Sequence, residues 1–331
     1  MGTASAEHPP GPVLLSISGL TKTFGEITAV DDLDLEVRAG EVVGFLGPNG
    51  SGKSTTVSMI LGLIHPTAGR IELFGDDLRD HPEHVRRRVG AIVEAPAFYP
   101  YLSGRDNLRA LAIAAGGVPE ARIDELLDLV GLADRAGSQY KTYSLGMKQR
   151  LGLASTLLTD PELVILDEPT NGLDPAGQRE IRALIPRLAS EGRAVLLASH
   201  LLHEVEQVSD RVAIIRKGRL LREGTIAGMV RGGNFLDVEV ADPLRAADVL
   251  RSLPFVDEVA VNGRRLQVVA AAECSPDVNR ALAAEGLYAA EIVRRRSTLE
   301  DVFLELTGMP DGKETGDAAT GRTERDARHV A

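Results

Sequence analysis

The sequence predicts an α/β fold: a parallel core sheet with an antiparallel β layer near the start of the chain, an inserted helical subdomain, and a small C-terminal α+β module. Three observations predict it. The runs VVGFLG, LVILDEP and AVLLASH are short and continuously apolar, and each ends in a polar or Gly-rich turn, the pattern of strands buried on both faces of a parallel sheet. Between the first two lies a long stretch of helical periodicity. Beyond residue 232, strand-like and helix-like segments follow one another in the order βαββαβ, which is that of a ferredoxin-like module.

Taken in order, residues 1–12 (MGTASAEHPPGP) have neither a basic nor an apolar region of a signal peptide and are expected to be a disordered tail. From Val13 to Val37 the pattern alternates, with Leu33, Leu35 and Val37 on one strand face. The first domain is expected to run over 13–232, with its helical insertion at about 95–160, where Ile123, Leu126, Leu127 and Val130 fall at i, i+3, i+4 and i+7. After His200, RVAIIRKGRLLREG reads as two strands turning at Lys217-Gly218. The accessory module is placed at 233–308, its middle strands turning at Asn262-Gly263 and its end forming a helix through LEDVFLELTG. Residues 309–331 lack an apolar face and are expected to be disordered.

Composition narrows the function classes. With 44% hydrophobic and 26% charged residues, the 331-residue chain has the makeup of an ordinary globular protein. A net charge of -11 argues against nucleic acid as the main partner, because that grip works by neutralising phosphates with Lys and Arg. Cys274 is the single thiol, which excludes an intrachain disulfide and fits a reducing compartment. The stretch Leu108 to Val118 is interrupted and far short of the ~20 apolar residues a membrane helix needs.

The chemistry sits in the turns. GPNGSGKS, comprising Gly47, Pro48, Asn49, Gly50, Ser51, Gly52, Lys53 and Ser54, fits G-x-x-x-x-G-K-[ST] after an apolar strand and before the helical TTVSMILGLI that begins at Thr55. That is the context of a P-loop, whose tight backbone points N–H groups at phosphates and whose helix N-terminus favours the anion. Lys53 would reach the β- and γ-phosphates, and Ser54 would ligate Mg²⁺. LVILDEP supplies a carboxylate pair at the end of a buried strand. Asp167 would hold Mg²⁺ through water, and Glu168 would orient and deprotonate the attacking water. His200 ends the third buried strand and is expected at the same sheet edge.

With these motifs the chain resembles the ATP-binding subunit of an ABC transporter over roughly Val13 to Gly232: the P-loop GPNGSGKST, a signature at YSLGMKQR, the Walker B run LVILDEP, a D-loop at NGLD and a switch histidine in LLASH occur in that family's order. The resemblance implies ATP and Mg²⁺ as ligands and ATP hydrolysis coupled to transport. It implies that Phe24, by itself a core residue, stacks on adenine. It adds Asp174 of the D-loop to the nucleotide site, and makes Ser144 and Gly146 address the γ-phosphate bound to an opposite subunit. Two places depart from the broad pattern. Glu94 stands where most members have a Gln that reaches Mg²⁺ and the water, so altered metal affinity is expected rather than lost binding. In the signature, Tyr143, Leu145 and Met147 replace the usual residues while Ser144 and Gly146 remain. Both departures, and the ending STLEDVFLELTG, resemble the ATPases of antibiotic and lantibiotic self-protection exporters of the bacitracin-resistance type and related drug-resistance exporters.

The partners so implied are an integral-membrane permease and a second copy of the chain or a close relative, closing head to tail over ATP at the cytoplasmic face of the membrane. The competing reading, a soluble ABC-type ATPase acting on nucleic acid or ribosomes, usually brings coiled-coil insertions or two ATP-binding units, which this sequence lacks. Read without the family, Phe98, Tyr99 and Tyr101 cluster between Pro96 and Pro100 just after Glu94, either as a partner surface or as packing for the helical insertion.

Overall fold

Two β layers meet over a shared apolar core in the computed structural model, which describes residues 11–80, 87–93, 96–230, 234–270, 272–296 and 298–307. The first layer is antiparallel, in the order β2 (Ile27–Arg38), β1 (Val13–Phe24), β4 (Ala68–Leu73), β5 (Asp76–Asp77). Alternation along β1 and β2 puts Leu15, Ile17, Leu33, Leu35 and Val37 on the buried side. Of the expected N-terminal tail, residues 1–10 lie outside the described residues, whereas the Pro12 carbonyl already accepts from Ala39 N at 2.9 Å. The tail expected at 309–331 also lies outside them.

The second layer has six strands. β3 (Val42–Leu46), β6 (Val89–Ile92), β7 (Leu163–Asp167), β8 (Ala194–Ser199) and β9 (Arg211–Arg216) run parallel in the order β9-β3-β8-β7-β6, and β10 (Arg219–Thr225) adds an antiparallel edge. The sequence buries both faces of this sheet. Along β7, Leu163 and Ile165 face the antiparallel layer and α1 (Lys53–Ile60), while Val164 and Leu166 face the helices on the other side. With both faces apolar, polar side chains of these strands can emerge only at the strand ends.

Those helices are α2 (Gly104–Ala114), α3 (Glu120–Leu129), α4 (Leu145–Thr156), α5 (Pro175–Ser190), α6 (Leu202–Val208) and the short α7 (Ile226–Met229). The predicted stripe Ile123, Leu126, Leu127 and Val130 is wholly buried. Tyr143, one of the unusual signature residues, has a packing role here. Its hydroxyl donates to Arg135 O at 2.7 Å, and burial pushes the phenol up, so it stays a donor. Gly104, at the start of α2, abuts the same ring, and a Cβ there would lie 2.1 Å from the hydroxyl oxygen.

The accessory module comprises β11 (Asn234–Val240), α8 (Pro243–Arg251), β12 (Val256–Asn262), β13 (Arg265–Ala270), α9 (Ser275–Ala284) and β14 (Ala289–Arg296). Its antiparallel order β12-β13-β11-β14 is the ferredoxin-like one. Leu236, Val238, Leu266 and Val268 form its separate core with Leu250 of α8 and Leu282 of α9. The last helix, α10 (Leu299–Thr307), leaves that core. Its Leu299, Val302 and Phe303 join Val205, Val208 and Met229 in the core of the larger domain. Leu299 N also donates to Glu206 Oε2 of α6 at 3.1 Å. An accessory module drawn through residue 308 therefore includes a helix whose apolar face, at i, i+3 and i+4, is buried elsewhere. Each of these side chains contributes on the order of 1.5–3 kcal/mol by leaving water.

Gly104→Ala is expected to destabilise the chain by about 1–3 kcal/mol, read as a lower urea midpoint. Adding Tyr143→Leu should recover part of that loss. An unchanged midpoint for Gly104→Ala would refute the close approach of α2 to Tyr143.

Candidate active site

Register along the parallel sheet brings the chemistry together. Leu46 pairs with Ser199 across β3 and β8, and Asp167 with Ala198 across β7 and β8, so the turns that follow β3, β7 and β8 leave the sheet at one end. The first of these turns is the Gly47–Ser54 loop, and α1 starts from it at Lys53 with Gly52 as N-cap and no side-chain cap. The helix N-terminus thus offers its backbone donors to an external acceptor. Gly52 has φ 106° and packs so closely on β2 that a Cβ would come within 2.5 Å of Ala29 O. Ser51 Oγ is buried in the loop with no hydrogen-bond partner among the described residues, a polar atom suited to a polar ligand.

Lys53 is 6% exposed, and its ammonium donates to Gly47 O at 2.7 Å while lying 3.5 Å from Glu168 Oε1. The other oxygen of the same carboxylate, Glu168 Oε2, lies 2.8 Å from His200 Nδ1. An ionised carboxylate only accepts, so Nδ1 carries the proton whenever Glu168 is charged. Glu168 therefore bridges the loop lysine and the histidine. Its backbone has φ 49°, left-handed for a non-glycine residue, and its N–H donates to Ala198 O at 2.9 Å. Ser199, not singled out from the sequence, donates to Glu168 Oε2 at 3.4 Å and accepts from Leu201 N at 3.1 Å. Its place just before His200 at a strand end was the available signal. Asp167 is buried at the end of β7, and Ser54 is exposed on the first turn of α1, with Thr55 half-buried behind it.

The remaining predicted residues occupy other places. Phe24 ends β1 at the tip of the β1–β2 hairpin, 50% exposed, with Lys22 Nζ 4.8 Å from its ring centre, so it is not a core residue. Pro48, Asn49 and Gly50 lie in the loop, where Ser51 N donates back to Pro48 O at 3.1 Å. Ser144 caps α4, its hydroxyl accepting from Met147 N at 3.2 Å, and Gly146 faces Gly177 of α5. Asp174 caps α5 by accepting from Gly177 N at 3.0 Å. The signature and the NGLD turn are thus neighbours. Among the described residues no hydrogen bond or ion pair joins Ser144 or Gly146 to the Gly47–Ser54 loop of the same chain. Glu94 lies outside the described residues.

The aromatic loop divides. Phe98 turns inward, edge-on to Tyr140 with ring centres 5.1 Å apart. Tyr99 and Tyr101 turn outward, 64% and 74% exposed. Buried Asn107 fixes the loop, accepting from Tyr99 N at 2.8 Å and donating to Tyr99 O and Ser103 O at 3.1 and 2.9 Å. Packing accounts for Phe98, while Tyr99 and Tyr101 stay on the surface.

Residues 30–171 match the ABC transporter family. The chain is 39% identical over 298 residues to the bacitracin transport ATP-binding protein BcrA of Bacillus licheniformis, covering 89% of this chain and 97% of that one. It is 38% identical over 302 residues to the daunorubicin resistance ATP-binding protein DrrA3 of Streptomyces coeruleorubidus, covering 89% and 96%. The chain belongs to the ABC transporter ATP-binding family. A solved ATP-binding subunit of an ABC transporter superposes with a TM-score of 0.60 at 34% identity, covering 66% of this chain and 92% of that one. As a member, this ABC ATPase binds ATP with Mg²⁺ and hydrolyses it to power transport, which implies a membrane permease as partner. Among the described residues no helix is long and apolar enough to cross a membrane.

The donor set fits the metal. No group of three or more His, Cys, Asp or Glu able to hold an ion occurs among the described residues, and Mg²⁺ in nucleotide sites relies instead on phosphates with one or two hard protein oxygens. The Ser54 hydroxyl and the Asp167 carboxylate are of that kind.

Gly52→Ala forces a side chain into both a left-handed backbone and the Ala29 carbonyl. It is expected to weaken ATP binding by at least about tenfold, roughly 1.4 kcal/mol, in a fluorescent-nucleotide titration. Binding within twofold of the parent would contradict the tight approach of β2 to the loop.

Proposed function

We propose that this chain drives an exporter from the cytoplasmic face of the membrane, and that Glu168 is the general base of its ATPase reaction. The observation that carries this reading is the Glu168 carboxylate set between Lys53 Nζ and His200 Nδ1. Phosphate oxygens arriving in the loop compete with Glu168 for Lys53. That leaves the carboxylate held by His200 and open to a water, whose proton it accepts as the oxygen attacks the γ-phosphorus. Lys53 stabilises charge on the β- and γ-phosphates, the backbone of Gly47–Thr55 cradles them, and Phe24 offers a flat face to adenine. Bound Mg²⁺ supplies charge neutralisation at the phosphate oxygens, and Ser54, Asp167 and Glu94 are the residues assigned to hold it.

Among the described residues Ser144 and Gly146 make no bond to their own loop, while their helix end is suited to an anion. This supports a head-to-tail dimer in which they, with Asp174 beside them, meet the ATP of the other subunit. Closing and reopening of that dimer would move the outward-facing Tyr99 and Tyr101, which suit a permease contact. The names of the relatives point to antibiotic, peptide or drug cargo. The acidic balance of the chain speaks against nucleic acid as partner.

Glu168→Gln keeps the size and one accepting oxygen but loses the base. It is expected to bind ATP normally, to lose about 10²–10⁴-fold in hydrolysis rate, and to elute as a dimer with ATP and Mg²⁺ in size-exclusion chromatography. Unimpaired hydrolysis by a monomer would remove Glu168 from its assigned role.

Truncation of the loop surface by Tyr99→Ser with Tyr101→Ser is expected to cut the amount of permease that copurifies from membranes several-fold, about 1 kcal/mol or more. Equal recovery would place the permease contact elsewhere.

A further inference from the structure

The turn that carries Glu168 and the segment that carries His200 are joined twice. At one end His200 Nδ1 meets Glu168 Oε2 at 2.8 Å. At the other, the Thr170 hydroxyl donates to Glu204 Oε2. Glu168, Pro169 and Thr170 form one side of a closed ring, and residues 200–204, from the switch histidine into the first turn of α6, form the other. Thr170 and Glu204 are 1% and 3% exposed, and Glu204 Oε1 has no hydrogen-bond partner among the described residues. A buried carboxylate with so few partners is costly where a Leu of similar shape would pack without desolvation, so packing alone does not account for it.

The ring constrains a backbone that needs constraint. The left-handed conformation of Glu168 persists only when its surroundings over-determine it. Its N–H is fixed by Ala198 O, its carbonyl accepts from Asn171 N at 3.1 Å, and Thr170 is the next side-chain anchor along the turn. On its other side α6 is held by α10, through Leu299, Val302 and Phe303 against Val205 and Val208 and through the bond from Leu299 N to Glu206. Glu204 is thus presented from a helix seated on both sides.

We propose that Glu204 is a positioning residue for ATP hydrolysis: through Thr170 it fixes the Glu168 turn and the offset between Glu168 and His200, without itself touching nucleotide. This rests on the reading of Glu168 and His200 as the hydrolytic pair. Misplacement of a catalytic group by about 1 Å can cost on the order of 10²-fold in rate. In the full chain, Thr170→Val and Glu204→Leu are each expected to lower kcat about 10–100-fold while the KM for ATP stays within about twofold. Glu204→Gln, whose amide oxygen still accepts from Thr170, should keep most of the rate. The deciding variant combines Thr170→Val with Glu204→Leu, which leaves no buried polar group unpaired and so should regain the parental Tm. Its kcat should stay as low as that of the worse single variant.

A double variant that regains kcat along with Tm would reduce the pair to packing, as would single variants whose kcat is unchanged. Should Glu204→Leu not fold, Thr170→Val and Glu204→Gln decide: equal rates in both overturn the proposal, and a loss confined to Thr170→Val supports it. Glu168→Gln in the same assay separates the two readings. If it hydrolyses ATP normally the hydrolytic pair is misassigned, and if it is inactive while the Thr170 and Glu204 variants are not, only the role of Glu204 falls.

Discussion

Burial of the parallel sheet on both faces is the constraint from which the rest follows. Val43, Phe45, Leu163, Ile165, Leu196 and Ala198 pack toward the antiparallel layer, while Val42, Leu46, Val164, Leu166, Val195 and Leu197 pack toward the helices. A slip of one residue would exchange these two sets, so the register is strongly specified. Because it is specified, the turns after β3, β7 and β8 arrive at one edge, and Lys53, Glu168 and His200, from three separate stretches of the chain, reach hydrogen-bonding or ion-pairing distance.

Most of this was legible in the sequence because it is written in short-range pattern. Continuous apolar runs marked the buried strands, the spacing of Ile123, Leu126, Leu127 and Val130 marked a helix face, and the glycines of the Gly47–Ser54 loop marked the phosphate turn. The ferredoxin-like order of the accessory sheet could be read from the succession of its elements. What was not legible depends on contacts between distant segments. Nothing local distinguishes inward Phe98 from outward Tyr99, since the difference is set by Tyr140 and by the clamp of Asn107. Phe24 looks like a core residue beside its alternating neighbours, yet it falls at a hairpin tip, where there is no second layer to cover it. Tyr143 read as a departure from a signature and turns out to fill the space left by Gly104.

In the signature helix α4 and the NGLD turn, the residues proposed to meet nucleotide also serve folding. Ser144 and Asp174 each cap a helix of their own chain, and each cap draws a side-chain oxygen onto a backbone N–H of its first turn. Such caps fix the entry angle of the helix, which sets where its remaining N–H groups point. Arg150 and Glu180, 3.4 Å apart, tie α4 to α5 further along. The surface formed by these two helix starts is therefore set within one chain, which lowers the ordering needed for the proposed dimer to close.

The return of α10 to the larger domain changes what kind of object the accessory module is. A chain that leaves one body after α7, builds a separate sheet and then comes back to seat Leu299, Val302 and Phe303 among Val205, Val208 and Met229 has made an insertion, not an appendage. The smallest continuous piece that preserves the core of the ATPase then extends to the end of α10, and a piece trimmed after α7 uncovers the apolar side chains of Val205, Val208 and Met229.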